Sequence, residues 1–235
     1  MPKLPESDVK SRKNLGESES MPKDRSQNSK LQMHDSDASN TDPAEPDWDQ
    51  RYLTGDTPWE KGYASPPLSE FLESDTFAGS VLVPGCGHGH DVRLLARFGA
   101  RPLGLDVAPA AVNKARAFQR SGNESYRLGD LFKLDKDLCG AFDGIFEHTC
   151  FCAIHPSRRI DYVRSVSSAL KSRGHLLAVF FIKIEDPEGP PFPVSSAEID
   201  DLFHPYFETR QRWVPTAAYP GREGREEMRL MRKTD

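Results

Sequence analysis

The sequence predicts an α/β fold, an open doubly wound sheet of mostly parallel strands, on three observations. A short aliphatic run, Val81-Leu82-Val83, stops at a glycine-dense turn, Pro84-Gly85-Cys86-Gly87-His88-Gly89-His90-Asp91. A helical pattern with Val92, Leu94, Leu95 and Phe98 follows, and a second apolar run, Pro102 to Leu105, ends in an acid, Asp106. Strand, glycine turn, helix, strand and acid make the first half of a nucleotide-binding sheet, with the acid placed for a ribose diol. Beyond Asp106, strand-like and helix-like stretches keep alternating, as in a sheet covered by helices on both faces.

Residues 1–46 are Ser, Asp, Glu, Lys, Asn and Pro with scattered Leu and Met and no hydrophobic period. Such a segment buries too little apolar area to offset its ordering entropy, so a disordered tail is expected, with Met21 or Met33 as alternative starts. The single folded domain is expected over 47–235. Trp48 and Tyr52, four apart, share one face of a short helix that Gly55 to Pro58 break, and Trp59 follows in a loop. These rings either pack on the core as a cap or clamp a ligand by their faces. Pro66-Pro67 opens a helix over Leu68 to Leu72. The helix after the glycine turn runs from Asp91 to Phe98 and stops at Gly99.

Pro109 begins another helix that reaches Phe118. Tyr126-Arg127-Leu128 is a third strand, ending at Gly129-Asp130-Leu131-Phe132, and Phe142 to Phe146 a fourth, ending at Glu147-His148. Arg158 to Leu170 is helical with Gly174 closing it. Leu176 to Ile182 lacks polar alternation, as a strand buried on both faces must. Gly189-Pro190-Pro191-Phe192-Pro193 is a rigid loop, Ser196 caps a helix from Ala197 to Phe203, and strands at Glu208–Val214 and Glu227–Arg232 finish the chain.

Net charge of −5 and a pI near 5.8 offer no basic surface to nucleic acid or anionic lipid. The longest apolar run is too short to cross a bilayer, and the N-terminal stretch has no apolar leader pattern, so a cytoplasmic setting is expected. Four cysteines without framework spacing fit reduced thiols.

The choice of nucleotide rests on the glycine turn's neighbours. A dinucleotide fingerprint spaces its glycines differently, and Asp91 at the helix entrance would repel a pyrophosphate. No Gly-Lys-Ser/Thr is present for a triphosphate. S-adenosyl-L-methionine carries a ribose and an adenine but no phosphate. Gly85 and Gly87 allow close approach to its amino-acid moiety, Asp106 suits the ribose hydroxyls, and Asp130-Leu131 can flank the adenine. Trp48, Tyr52 and Trp59 suit a soft sulfonium cation or its surroundings.

From Trp48 onward the chain resembles the thiopurine S-methyltransferase family of class I methyltransferases, and within it the plant thiol and halide methyltransferase branch. The motifs are Trp48-x₃-Tyr52-x₆-Trp59, Val83 to Asp91, Gly104-Leu105-Asp106, Phe151-Cys152-Ala153-Ile154-His155-Pro156 and Gly189-Pro190-Pro191-Phe192. The resemblance implies a Rossmann-like, seven-stranded sheet with an antiparallel last strand. It implies cofactor contacts at Trp48, Tyr52, Trp59, Gly85, Asp106, Asp130, Leu131 and His148. Two positions depart from the pattern: Tyr52 stands where the plant branch usually has Trp, and His148 where that branch has Tyr and the thiopurine branch Arg.

The expected activity is therefore methyl transfer from S-adenosyl-L-methionine to a small-molecule acceptor, a thiol first, with halide or thiocyanate ions also in view. Alternatives are an amine, metalloid or other small acceptor, a non-catalytic cofactor-binding module, and an NAD-dependent oxidoreductase. His148 is a candidate for a general base or for a hydrogen bond to the cofactor. Glu147 is expected to end its strand or turn into solvent, Arg158 and Arg159 to lie on the surface of a first helical turn, and Trp213 to pack on the sheet. His148, Cys150, Cys152 and His155 fit no common zinc spacing, so no metal is expected. Partners are the small acceptor alone, with no nucleic acid or membrane, and the chain is expected to act as a monomer.

Overall fold

The computed structural model describes residues 46–185 and 188–235. The expected disordered tail, Pro46 apart, lies outside the described residues. Seven strands form one sheet: β1 (Ser80–Pro84), β2 (Arg101–Asp106), β3 (Ser125–Leu128), β4 (Phe142–His148), β5 (Leu170–Phe181), β6 (Phe207–Trp213) and β7 (Glu226–Lys233). Their spatial order is β3-β2-β1-β4-β5-β7-β6. β1 to β5 pair in parallel, and β7 runs antiparallel between β5 and β6. The order reverses between β1 and β4, the switch point at which open α/β sheets hold ligands beyond the carboxyl ends of their strands.

Among the described residues six α-helices flank the sheet: α1 (Trp48–Thr54), α2 (Pro66–Ser74), α3 (His90–Arg97), α4 (Pro109–Ala117), α5 (Arg159–Ala169) and α6 (Ser196–Phe203). Alternation along the strands sends neighbouring side chains to opposite faces. Val81, Val83, Phe146, Leu177 and Val179 pack against Leu68, Phe71 and Leu72 of α2 and Val92 and Leu95 of α3. Leu82, Ile145, Leu176 and Phe180 face the other way, onto Tyr162, Val163 and Val166 of α5 and Phe203 of α6. Both faces are covered, which explains why β5 reads as an unbroken apolar run. Trp213 stacks on Phe71 with ring centroids 6.2 Å apart, the sheet-packing role expected of it. No helix among the described residues is long and apolar enough to cross a membrane.

Two local expectations are corrected. Gly174 does not close α5: the helix ends at Ala169, Arg173 takes the left-handed conformation (φ 61), and Gly174 is buried inside β5. A Cβ there would stand 3.0 Å from Leu170 Cδ2, 3.1 Å from Lys171 O and 3.2 Å from Asp143 O, so this glycine eases close packing rather than making a turn. The cap of α6 is Ser195, whose hydroxyl accepts from Glu198 N at 3.1 Å. The hydroxyl of Ser196 instead serves Glu227 and Arg229 on β7.

Candidate active site

The first wall of the site is α1 and the loop behind it. Asp47 caps the helix by accepting from Gln50 N, and Gly55, at φ 76, ends it. The Asp49 carboxylate accepts from Ala110 N at 2.7 Å, which ties α1 to the start of α4. The chain then returns so that Trp59 Nε1 donates to Tyr52 Oη at 3.0 Å. The Trp59 ring meets those of Trp48 and Tyr52 edge to face, at 5.5 and 5.8 Å. Arg51 adds its guanidinium 4.4 Å from the Trp59 centroid.

Beneath these rings lies the glycine turn. Gly85 has φ 57, and a Cβ on it would stand 2.9 Å from Cys150 Sγ; on Gly87, at φ 52, it would stand 2.8 Å from Tyr52 Oη. Both positions thus require glycine twice over, for backbone conformation and for room. Asp106 closes β2. Its Oδ2 accepts from Gly87 N at 2.8 Å and its Oδ1 from Ala108 N at 2.9 Å. Burial pushes this carboxyl above the usual range, while the same backbone N–H groups pull it back. Each oxygen keeps acceptor capacity beyond these bonds. After β3, Asp130 caps a one-turn helix by accepting from Phe132 N at 2.8 Å, and Leu131 is buried beside it.

The loop after β4 supplies the opposite wall. Glu147 is buried, not solvent-facing as expected: Oε1 accepts from Cys150 N at 3.1 Å and Phe151 N at 2.7 Å, and Oε2 accepts from the Tyr162 hydroxyl. Burial pushes its carboxyl up. Thr149 follows at φ 63. Burial likewise raises the thiols of Cys150 and Cys152, the latter to about 12. Phe192 N donates to Cys152 O at 2.7 Å, joining the Gly189–Pro193 loop to this wall. Arg159 is a second correction: it is buried rather than superficial, because Glu198 (2.5 Å) and the carbonyls of Phe192 and Pro193 take its guanidinium. Arg158 is half-buried with its guanidinium 3.8 Å from the Phe132 centroid.

One cavity of about 590 Å³ joins these walls, within the ordinary size of small-molecule sites. Trp48, Tyr52, Trp59, Gly85, Asp106, Asp130 and Leu131 all line it. Gly87 and His148 do not. Gly87 acts from behind, through Asp106 and Tyr52. His148 Nδ1 lies 3.0 Å from Asp91 Oδ2, its ring stacks on Tyr219 at 5.8 Å, and its buried Nε2 has no hydrogen-bond partner among the described residues. Asp91 in turn accepts from Ser65 N at 2.6 Å. Sequence reasoning missed Arg222, which enters the cavity from the stretch before β7, paired with Glu226 at 3.1 Å and 4.7 Å from the Phe181 centroid.

A sequence model of the thiopurine S-methyltransferase family matches residues 43–227. The chain belongs to this family. Among its relatives, a protein named probable thiol methyltransferase 2 from Arabidopsis thaliana is 32% identical over 163 residues, covering 67% of this chain and 71% of the relative. Thiocyanate methyltransferase 1 from Brassica oleracea is 31% identical over the same shares. In fold, the chain is similar to 1,6-didemethyltoxoflavin-N1-methyltransferase from Burkholderia thailandensis, solved with 1,6-didemethyltoxoflavin and S-adenosylhomocysteine bound. The TM-score is 0.61 at 20% identity, covering 79% of this chain and 85% of the other.

In this member of the thiopurine S-methyltransferase family, Tyr52 has a use that an indole could not serve, since its hydroxyl accepts the Trp59 N–H. Trp59 is only half-buried, and its contacts are to the cap rather than to the sheet. If the cavity that Trp59 lines takes the methyl donor, as proposed below, Trp59→Ala is expected to weaken donor binding about tenfold, the loss of about 1.4 kcal/mol of apolar contact from that ring. The thermal midpoint should fall by no more than about 2–4 °C, the shift that accompanies about 1 kcal/mol in a domain of this size. Calorimetric titration beside a melting curve separates the two effects.

Proposed function

We propose that this S-adenosyl-L-methionine-dependent methyltransferase acts on a small, soft, anionic or readily ionised nucleophile, a thiol or thiocyanate, with the folded domain over residues 47–235. The observation that carries this reading is the order of groups along the cavity. Asp130 follows β3, Asp106 follows β2 and Gly85 follows β1, beneath the aromatic cap. Past the switch point come Cys150, Cys152 and Ile154 after β4, Phe192 after β5, and Arg222 before β7. The first half has the requirements of a nucleoside with an amino-acid arm. The second is apolar apart from a few polar groups, among which Arg222 is the cation suited to an anion.

The donor fits the residues present: a Cβ at Gly85 or Gly87 would close up the glycine turn, and Asp106 brings a buried carboxylate to the cavity lining. When bound, S-adenosyl-L-methionine supplies an electrophilic methyl group on a sulfonium. Asp106 and Asp130 would hold the nucleoside, with Leu131 against its base and Trp48, Tyr52 and Trp59 excluding water. Arg222 would draw the anionic acceptor into line, and alignment in a dry site can contribute about 7–11 kcal/mol to such a displacement. A thiol with a pKa of about 8.5 is already partly ionised at neutral pH, so a strong base on the wall is not required. His148, held by Asp91 at 3.0 Å, lies outside the cavity lining, so it would take the proton of a less acidic thiol only through an intervening water.

All four cysteines are free, in keeping with a reducing, cytoplasmic setting. The edge strand β6 exposes Glu208, Arg210 and Arg212, charges that discourage edge-to-edge pairing and favour a monomer. Transfer of labelled methyl to a panel of thiols, thiopurines, thiocyanate, iodide and amines tests the reading. Turnover on thiols or thiocyanate is expected, and Arg222→Met should raise the acceptor KM while leaving donor affinity unchanged. Turnover on amines alone, or donor binding with no turnover, would refute it.

A further inference from the structure

Glu60, His88 and His90 form a cluster with no part in the chemistry above. Glu60 Oε2 lies 2.8 Å from His88 Nδ1, and Oε1 lies 2.9 Å from His90 Nε2 and accepts from Gly62 N at 2.7 Å. One ligand atom from each of the three residues falls within a 4.8 Å group, close enough to share a metal ion. The next contact outward argues against a metal. Arg93 Nη2 lies 3.0 Å from His90 Nδ1, and a guanidinium only donates, so Nδ1 must accept. The His90 proton then sits on Nε2 and points at Glu60. A metal would need the Nε2 lone pair, and would leave an Nδ1–H facing a donor where an acceptor is wanted. The geometry is that of a carboxylate accepting from imidazoles on both oxygens.

What each partner carries gives the contact its meaning. Glu60 directly follows Trp59, the last ring of the cap. His88 sits inside the glycine turn with its ring 5.3 Å from that of Tyr52, and its carbonyl accepts from Arg93 at 2.8 Å. α1 contains no buried residue, so the cap lacks a hydrophobic root and depends on polar ties. Burial pushes the Glu60 carboxyl up, but hydrogen bonds from His90 and Gly62 N and the charge of both imidazoles outweigh it and hold it at about 2. The carboxylate is therefore present throughout the neutral range.

We propose that Glu60 is a positioning residue which, through His88 and His90, latches the aromatic cap to the glycine turn and so governs how fast spent cofactor leaves. The inference rests on reading the cavity as the S-adenosyl-L-methionine site. The test uses the full chain carrying Trp213→Phe, which leaves Trp48 and Trp59 as its tryptophans. Glu60→Gln keeps the shape but offers an oxygen to one imidazole and an N–H₂ to the other. Stopped-flow fluorescence should show S-adenosylhomocysteine leaving about tenfold faster, with donor KM raised, acceptor KM unchanged and the melting midpoint near that of the parent. His88→Gln, a second variant should the first fold poorly, should move the rates the same way. Release within twofold of the parent in a folded variant would overturn the latch. So would micromolar Zn²⁺ uptake by the parent that Glu60→Gln abolishes. A parent that binds no S-adenosylhomocysteine would overturn the cavity assignment itself, and the latch with it.

Discussion

Asp106→Ala is expected to reduce affinity for S-adenosyl-L-methionine about 10- to 100-fold while the acceptor half of the cavity keeps its shape. Two losses combine. In the proposed binding mode the carboxylate accepts from a ribose diol, and a hydrogen bond to a charged group is worth about 1.5–3 kcal/mol. It is also what Gly87 N and Ala108 N donate to, so its removal leaves two backbone donors to find other partners at the turn. Asp106→Asn should be only partly better, since one of its two polar atoms would face a backbone N–H with a donor of its own. Calorimetric titration of the donor into each variant measures the effect. Affinity unchanged in the alanine variant would remove Asp106 from the site.

The largest loss of stability is expected at Glu147. In Glu147→Ala the N–H groups of Cys150 and Phe151 and the hydroxyl of Tyr162 are stranded in a fully buried place. At about 1–3 kcal/mol for each unsatisfied group, the variant should lose about 3 kcal/mol or more in denaturant unfolding. Activity should fall with it, because the loop that lines the cavity after β4 hangs on those bonds. Glu147→Gln should be mild, since its amide oxygen accepts from both N–H groups and its N–H₂ donates to the Tyr162 oxygen. The pH dependence has a definite sign. Burial raises this carboxyl above its ordinary 4.5, so the native chain holds the proton to higher pH than the unfolded one. Its contribution is present in full below about 4.5 and is lost as pH rises through the folded value. Glu147→Gln should flatten that decline, and an unaltered slope would locate it elsewhere.

The elements from β1 to Asp106 were legible because every signal there is local: β-branched residues, glycines at positive φ, an amphipathic helix and an acid at a strand end. The cap was half legible. Trp48 and Tyr52 announce one helical face, but nothing in the sequence says that Glu60 meets His88 and His90 across the fold. Glu147 and Arg159 were misjudged because charged residues are usually solvated, and the partners that bury these two, Tyr162, Glu198 and the Phe192 carbonyl, lie on other elements. Adjacent serines left the start of α6 ambiguous by one residue. Arg222 sits between two late strands in a stretch without periodicity, and only the antiparallel return of β7 brings it to the cavity.

Cys150 and Cys152 line the space proposed for an alkylating sulfonium, so each is a rival to any sulfur nucleophile that enters. Burial, with the Glu147 carboxyl nearby, pushes the Cys152 thiol up to about 12, so it stays neutral at neutral pH, and the neutral thiol is a poor nucleophile. The buried, acid-flanked surroundings of these sulfurs would thus keep them from intercepting the methyl group, while the thiolate acceptor proposed above enters already charged.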